Sequence, residues 1–214
     1  MTLVIGAIAA DGIVCGADGR VKDENNKVLK DNEIKLFELS PLCILMPDGG
    51  VFEGMDKWLF LARKSYANSS ISNVTDIARS IISSLKQSAK PNEPESDFIF
   101  IGYDLLDGHY QPRVYKVSND DWRLKVPSSG APFATGGVTE HADPILHDLY
   151  VNSVDPKLRH VNRATLRALK VTTQKSSEDV NGQLTLWNLK PGNKNIKKFN
   201  QRGIDILTRD LINL

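Results

Sequence analysis

Thr2, Asp18, Lys35 and Gly49 are the residues of this chain whose types and spacing suit one piece of chemistry, the transfer of an acyl group. A threonine hydroxyl is a poor nucleophile until a base takes its proton. A threonine at the amino terminus carries that base itself, because an α-amine has a pKa of about 8, near the pH at which a general base works well. Thr2 is small enough for Met1 to be trimmed from a new chain, which would free that amine. On its own a threonine at position 2 is commonplace, so its meaning depends on what the fold brings beside it.

The strands that would do this can be read from the sequence. Thr2 to Ala10 is an unbroken run of β-branched and small residues, which predicts a buried strand. Asp11-Gly12 predicts a hairpin turn, and Ile13 to Ala17 the returning strand. Asp18, just past the second strand, should therefore lie beside the start of the first, next to Thr2. Lys35 stands in Ile34-Lys35-Leu36-Phe37. In a pocket shared with Asp18 it would set the field around the threonine oxygen, whereas a single strand lysine ordinarily faces solvent. Gly49 follows a strand over Leu42 to Met46, where a bare backbone N–H could approach an oxyanion. Pro47-Asp48-Gly49-Gly50 would equally serve as a turn that stops the strand.

The remaining elements follow the same reading. Lys22 to Asn32 is polar and reads as a loop, and Ile34 to Leu39 as a strand. Phe52, Met55, Leu59 and Ala62 fall at helical spacing. Thr75 is the expected N-cap of a helix with Ile77, Ile81, Ile82 and Leu85 on one face, ended by Lys90-Pro91-Asn92-Glu93-Pro94. Strands are expected over Phe98 to Tyr103 and Val114 to Val117 around Asp107-Gly108, then over Ala131 to Thr135 and Gln183 to Leu189. Helices are expected around Ile145 to Tyr150, over Ala164 to Val171, and around Ile204, Leu207 and Leu211. Clustered strands separated by helix pairs suit an α+β fold, with antiparallel sheets covered by helices, and not a βαβ repeat. No linker, repeat or low-complexity stretch interrupts the chain, so residues 1–214 are expected to form a single domain.

Composition narrows the function. The 27 basic and 26 acidic residues nearly cancel, leaving no single-sign field to hold nucleic acid or an anionic membrane. Cys15 and Cys43 both lie in apolar runs and read as buried thiols of a reduced compartment. No basic n-region and apolar h-region opens the sequence, and no stretch has the roughly 18 apolar residues of a membrane span. A cytoplasmic protein is the expectation. His109, His141, His147 and His160 show no metal-ligand spacing, and neither Gly49-Gly50 nor Gly136-Gly137 is followed by the residues of a phosphate loop. Neither a metal nor an organic cofactor is inferred.

Thr2-Leu3-Val4-Ile5-Gly6, Asp11-Gly12-Ile13-Val14, Gly16-Ala17-Asp18-Gly19-Arg20 and Lys35-Leu36-Phe37 resemble the N-terminal third of proteasome β-subunits. They are also similar to related bacterial threonine peptidases that form simpler rings, several of which begin directly with Met-Thr. The resemblance covers roughly the first fifty residues. It implies a four-layer αββα sandwich, the N-terminal-nucleophile hydrolase fold, and a threonine-type endopeptidase. In that reading Thr2 is the nucleophile, Lys35 eases its deprotonation, Asp18 holds Lys35, and the Gly49 N–H binds the oxyanion. It further implies a homo-oligomeric ring or spiral with the sites inside, unfolded polypeptide or peptide as substrate, and an ATP-dependent unfoldase as a candidate partner.

The family usually carries a serine between glycines in mid-chain, near the nucleophile, where this chain has Ala134-Thr135-Gly136-Gly137-Val138. It also carries a late aspartate, for which Ser177 and Asp179 are the candidates here. These departures motivate a competing reading, a catalytically inactive structural subunit of the same fold. A third is an amidase of that fold acting on a small substrate.

Overall fold

The computed structural model describes residues 2–22, 25, 27–49, 73–88, 96–127, 132–193 and 196–212. The apolar run after Thr2 forms β1 (Leu3–Ala9), and the next forms β2 (Gly12–Ala17), with nearly every residue of both buried. Continuous burial explains why neither strand alternates apolar with polar residues. Ala9 pairs with Gly12, so the turn residues are Ala10 and Asp11, one position earlier than the expected Asp11-Gly12. Asp11 instead accepts the Leu158 N–H at 2.6 Å. Gly12 lies within the strand, where a Cβ would stand 2.8 Å from the Leu189 carbonyl oxygen. Its glycine serves close packing against the neighbouring strand.

The polar stretch expected as a loop contains two short strands, β3 (Val21–Lys22) and β4 (Val28–Lys30), paired antiparallel. The strand expected from Ile34 starts only at Phe37, as β5 (Phe37–Ser40). The next, β6 (Cys43–Gly49), runs through Pro47 and does not stop at Met46. Pro47 is tolerated because β5 reaches no further than Leu45, so on that side no ladder needs the missing N–H. The helix expected around Phe52 to Ala62, and the stop at Lys90 to Pro94, lie outside the described residues.

Helix α1 (Val74–Ser88) buries Ile77, Ile81, Ile82 and Leu85 on one face, as expected. Thr75 is not its cap but lies in the first turn. Its hydroxyl donates to Asp104 at 2.6 Å and its N–H to the other carboxylate oxygen at 3.0 Å. An aspartate from the sheet thus satisfies a donor that the helix start leaves free. Strands β7 (Ser96–Leu106) and β8 (His109–Ser118) join through Asp107 and Gly108, both at positive φ as a tight two-residue turn requires. Then come β9 (Phe133–Gly137), α2 (Asp143–Asn152), α3 (Leu158–Lys175), β10 (Thr185–Leu189), β11 (Lys197–Lys198) and α4 (Gln201–Ile212). The two lysines of β11 gave no strand signal.

The described residues form an α+β structure with three antiparallel sheets. One has the order β11-β10-β2-β1-β9, one the order β5-β6-β7-β8, and the third is the β3-β4 pair. Val4, Ile13 and Trp187 of the first sheet pack against Ile44, Met46, Ile99 and Ile101 of the second. The alternate residues Cys43, Leu45, Phe98 and Phe100 face α1. Leu3 and Ile5 face α2 and α3, and Ala7 and Val14 face α3 and α4. Each of the two larger sheets is therefore apolar on both faces, with period-two alternation deciding which core a side chain enters. Among the described residues no helix is long and apolar enough to cross a membrane.

Gly12→Ala should lower the unfolding free energy by about 2 kcal/mol, because the atom it would meet is backbone and cannot rotate away. Denaturant titration of the two proteins measures the difference.

Candidate active site

The site is assembled by the β1-β2 register. Val4 pairs with Ala17, so the residue after β2 meets the residues before β1. Asp18 N–H donates to the Leu3 carbonyl at 3.1 Å, and the Leu3 N–H returns to Asp18 Oδ1 at 2.8 Å. This reciprocal pair extends the hairpin by one residue and points the Asp18 carboxylate at Thr2. The Thr2 hydroxyl donates to Asp18 Oδ1 at 2.9 Å.

Lys35 arrives on the irregular segment ahead of β5. Glu33 N–H binds the Gly19 carbonyl at 3.0 Å and lays this segment against the end of β2. Ile34 is 55% exposed while Lys35 is 8% exposed, so the lysine turns inward and its apolar neighbour turns out. Lys35 Nζ donates to Asp18 Oδ1 at 2.7 Å and to the Thr2 hydroxyl oxygen. Thr2, Asp18 and Lys35 thus form a closed triangle in which each member touches the other two.

Asp18 is fully buried. Its second oxygen accepts the Arg20 N–H at 3.1 Å and the Asn181 N–H at 3.3 Å. Five donors from four stretches of chain therefore surround one carboxylate. Burial lowers the Lys35 pKa from its ordinary value, opposed by the charge and hydrogen bond of Asp18 and by the charges of Asp48 and Glu33. Lys35 therefore gives up a proton more readily than a surface lysine does, while standing on the threonine oxygen.

Gly49 closes β6 opposite Ser96, on the strand that also carries Asp48. The structure gives it no direct contact with the triangle. Asp48 itself went unnoticed in the sequence, inside what read as a turn. It stands against the Gly136-Gly137 pair, where the Gly137 N–H binds it. Its carboxyl pKa is raised to about 6, first by burial and then by Asp97, its partner across the strands, with Lys116, Lys35 and the Gly137 N–H acting in the opposite direction. Asn181 is the other residue that sequence reasoning passed over. It acts through its backbone, which no residue-type signal reports.

The late candidates lie elsewhere in the site. Asp179 pairs with Lys22 at 3.0 Å, and the Ser177 carbonyl accepts Arg20 Nη1 at 2.7 Å. Both brace the loop around Asp18. In mid-chain, Gly137 sits at φ +85°, where a Cβ would come 1.7 Å from the Thr2 carbonyl oxygen, so no side chain fits at that position. A cavity of about 980 Å³ lined by Lys116, Phe133, Thr135 and His147 has none of Thr2, Asp18 or Lys35 in its wall. No family model matches this chain, and no curated protein matches it significantly.

Asp48 also generates a pH dependence of stability. The unfolded chain releases this proton near the ordinary value of 3.8 and the folded chain at about 6. Between those values the folded state binds more protons, so stability falls as pH rises from 4 to 6 and then levels off. In protein that retains Met1, Asp48→Asn should abolish this decline, worth about 2 kcal/mol. Urea unfolding of both proteins across pH 4–7 tests it, and parallel curves would refute it.

Proposed function

We propose that this chain is a threonine-type endopeptidase of the N-terminal-nucleophile hydrolase class, built on the four-layer αββα sandwich. The observation that carries the reading is the Thr2 hydroxyl held between the Asp18 carboxylate and the Lys35 ammonium. After removal of Met1, the freed α-amine accepts the Thr2 Oγ proton as Oγ bonds to the scissile carbonyl carbon. The carbonyl electron pair moves onto its oxygen, where the Gly49 N–H at the end of β6 is the proposed donor. The ammonium then protonates the leaving amine as the C–N bond breaks, leaving an ester on Thr2. Water, deprotonated by the amine, attacks that ester and restores the threonine.

Lys35 lowers the barrier to the first proton transfer by stabilising negative charge on Oγ, and Asp18 fixes Lys35 in place. A small hydrolase open to cytoplasm would be hazardous, so sequestration in a homo-oligomeric ring or spiral belongs to the proposal. Unfolded polypeptide is then the substrate, and an ATP-dependent unfoldase a candidate feeder. One observation favours an inactive structural subunit instead. The serine that the resembled family carries near the nucleophile has no counterpart in Ala134-Thr135-Gly136-Gly137-Val138, and Gly137 itself has no room for a side chain.

Intact mass before and after exposure to a threonine-reactive peptide epoxyketone separates the two. A chain lacking Met1 that gains one probe supports the peptidase, and a trimmed chain that gains none supports the structural subunit. Thr2→Ala should reduce peptide hydrolysis at least about a thousandfold, and Lys35→Ala about a hundredfold or more. Unchanged hydrolysis in Thr2→Ala would end the proposal.

A further inference from the structure

Two glycines make room for Asp48. A Cβ on Gly136 would stand 3.0 Å from Asp48 Cβ and 3.1 Å from its Oδ2. A Cβ on Gly137 would stand 3.0 Å from Asp48 Oδ1 and 1.7 Å from the Thr2 carbonyl oxygen. The Asp48 carboxylate and the Thr2 main chain therefore converge on one glycine. Among the described residues, the charged groups that act on this carboxylate are Asp97, Lys116 and Lys35. Asp97 on β7 stands directly across from it, a like charge that disfavours the pairing. Lys116 on β8 is committed to Asp97 at 2.7 Å, and Lys35 to Asp18 at 2.7 Å. Among the described residues no cation forms an ion pair with Asp48. The Gly137 N–H on β9 is its hydrogen-bond donor.

A half-buried carboxylate facing a like charge is disfavoured unless a cation joins it. Trimming of Met1 creates one, the α-ammonium of Thr2, bonded through a single carbon to the carbonyl that flanks the same glycine as Asp48. We propose that Asp48 is the anionic partner of the Thr2 α-ammonium, a positioning residue that holds the amine against the hydroxyl it deprotonates. The inference rests on Thr2 being the amino terminus of the working chain, as in the reading above. In the reaction, the proton leaving Oγ converts the amine to an ammonium, and Asp48 stabilises that ammonium until the proton passes to the leaving nitrogen. Asp48 accepts no proton itself and touches no substrate atom. Its effect is on the position and basicity of the amine.

The pairing is tested by titrating the amine directly, in protein shown by intact mass to lack Met1. With isotope-labelled threonine, the Thr2 Cα resonance is followed against pH in the wild type, Asp48→Asn and Asp97→Asn. A neighbouring carboxylate favours the charged amine, so Asp48→Asn should lower the amine midpoint by about one pH unit or more. Asp97→Asn, which removes an equal charge from the same cluster without reaching Thr2, should not lower it. In the active enzyme, the acid limb of kcat/KM should move down with the amine midpoint in Asp48→Asn. If Asp48→Asn fails to fold, Asp48→Ser is read by the same titration. Equal amine midpoints in the wild type and the Asp48 variant would overturn the proposal. The two readings fail separately. A lowered midpoint in a chain that ignores the epoxyketone retains the pairing and ends the peptidase. A probe-reactive Thr2 whose amine disregards Asp48 does the reverse.

Discussion

The structure around Thr2 depends on the requirement that the buried Asp18 carboxylate be fully supplied with donors. A carboxylate without access to water is tolerated only when hydrogen bonds and a counter-charge replace its hydration. Here the donors are the Thr2 hydroxyl, the Leu3 and Arg20 N–H groups, Lys35 and the Asn181 N–H. They come from β1, from the turn after β2, from the segment before β5 and from the turn after α3. Removing any one of these stretches leaves the carboxylate short, so satisfying Asp18 and assembling the site are the same event.

That requirement accounts for features with no other evident purpose. The segment 33–36 leaves regular strand geometry, which lets Lys35 turn inward while Ile34 faces solvent. Gly19 is wedged between the Asp31 and Gln183 carbonyl oxygens, each 2.8 Å from where its Cβ would be. Its N–H binds the Asn181 carbonyl, and the Gln183 N–H binds the Asp31 carbonyl at 2.7 Å. Arg20 to Asp31 and Lys22 to Asp179 then lace the rim. Exposed ion pairs contribute little singly. Together with the backbone bonds they fix the β3-β4 pair over the Asp18 loop.

Much of this was legible in the sequence where period and residue type determine the outcome. The β1-β2 hairpin, the apolar face of α1, the turn at Asp107-Gly108 and the meeting of Thr2 with Asp18 followed from local patterns, whereas spacing alone favoured an outward-facing Lys35 and only the family resemblance implied its place beside them. The misreadings have identifiable causes. Gly12 carried a turn signal because glycine serves turns and close packing alike, and the proximity of Leu189 is a tertiary fact. Thr75 looked like a cap, but Asp104, a residue nearly thirty positions away, supplies that function. The β3-β4 strands are exposed or half-buried, so they show no apolar alternation. Asn181 contributes only its backbone, and Asp48 acquires its significance from two glycines on a distant strand.

The buried Asp18 and the half-buried Asp48 would, in the proposed mechanism, give one residue type two different tasks. Asp18 has a lysine and four other donors. Among the described residues, Asp48 has the Gly137 N–H and a like charge opposite, with Lys116 and Lys35 acting on it from their own ion pairs. Groups whose surroundings diverge in this way are suited to different tasks in one reaction. A carboxylate already saturated with donors gains nothing from a new cation, so it can only hold geometry constant. A carboxylate short of partners responds to a charge that appears beside it. In the proposed mechanism such a charge appears twice, once when Met1 is removed and again each time the amine takes a proton. In that proposal Asp48 is the carboxylate placed to sense the state of the amine, and the glycines at 136 and 137 leave the space it occupies beside the Thr2 main chain.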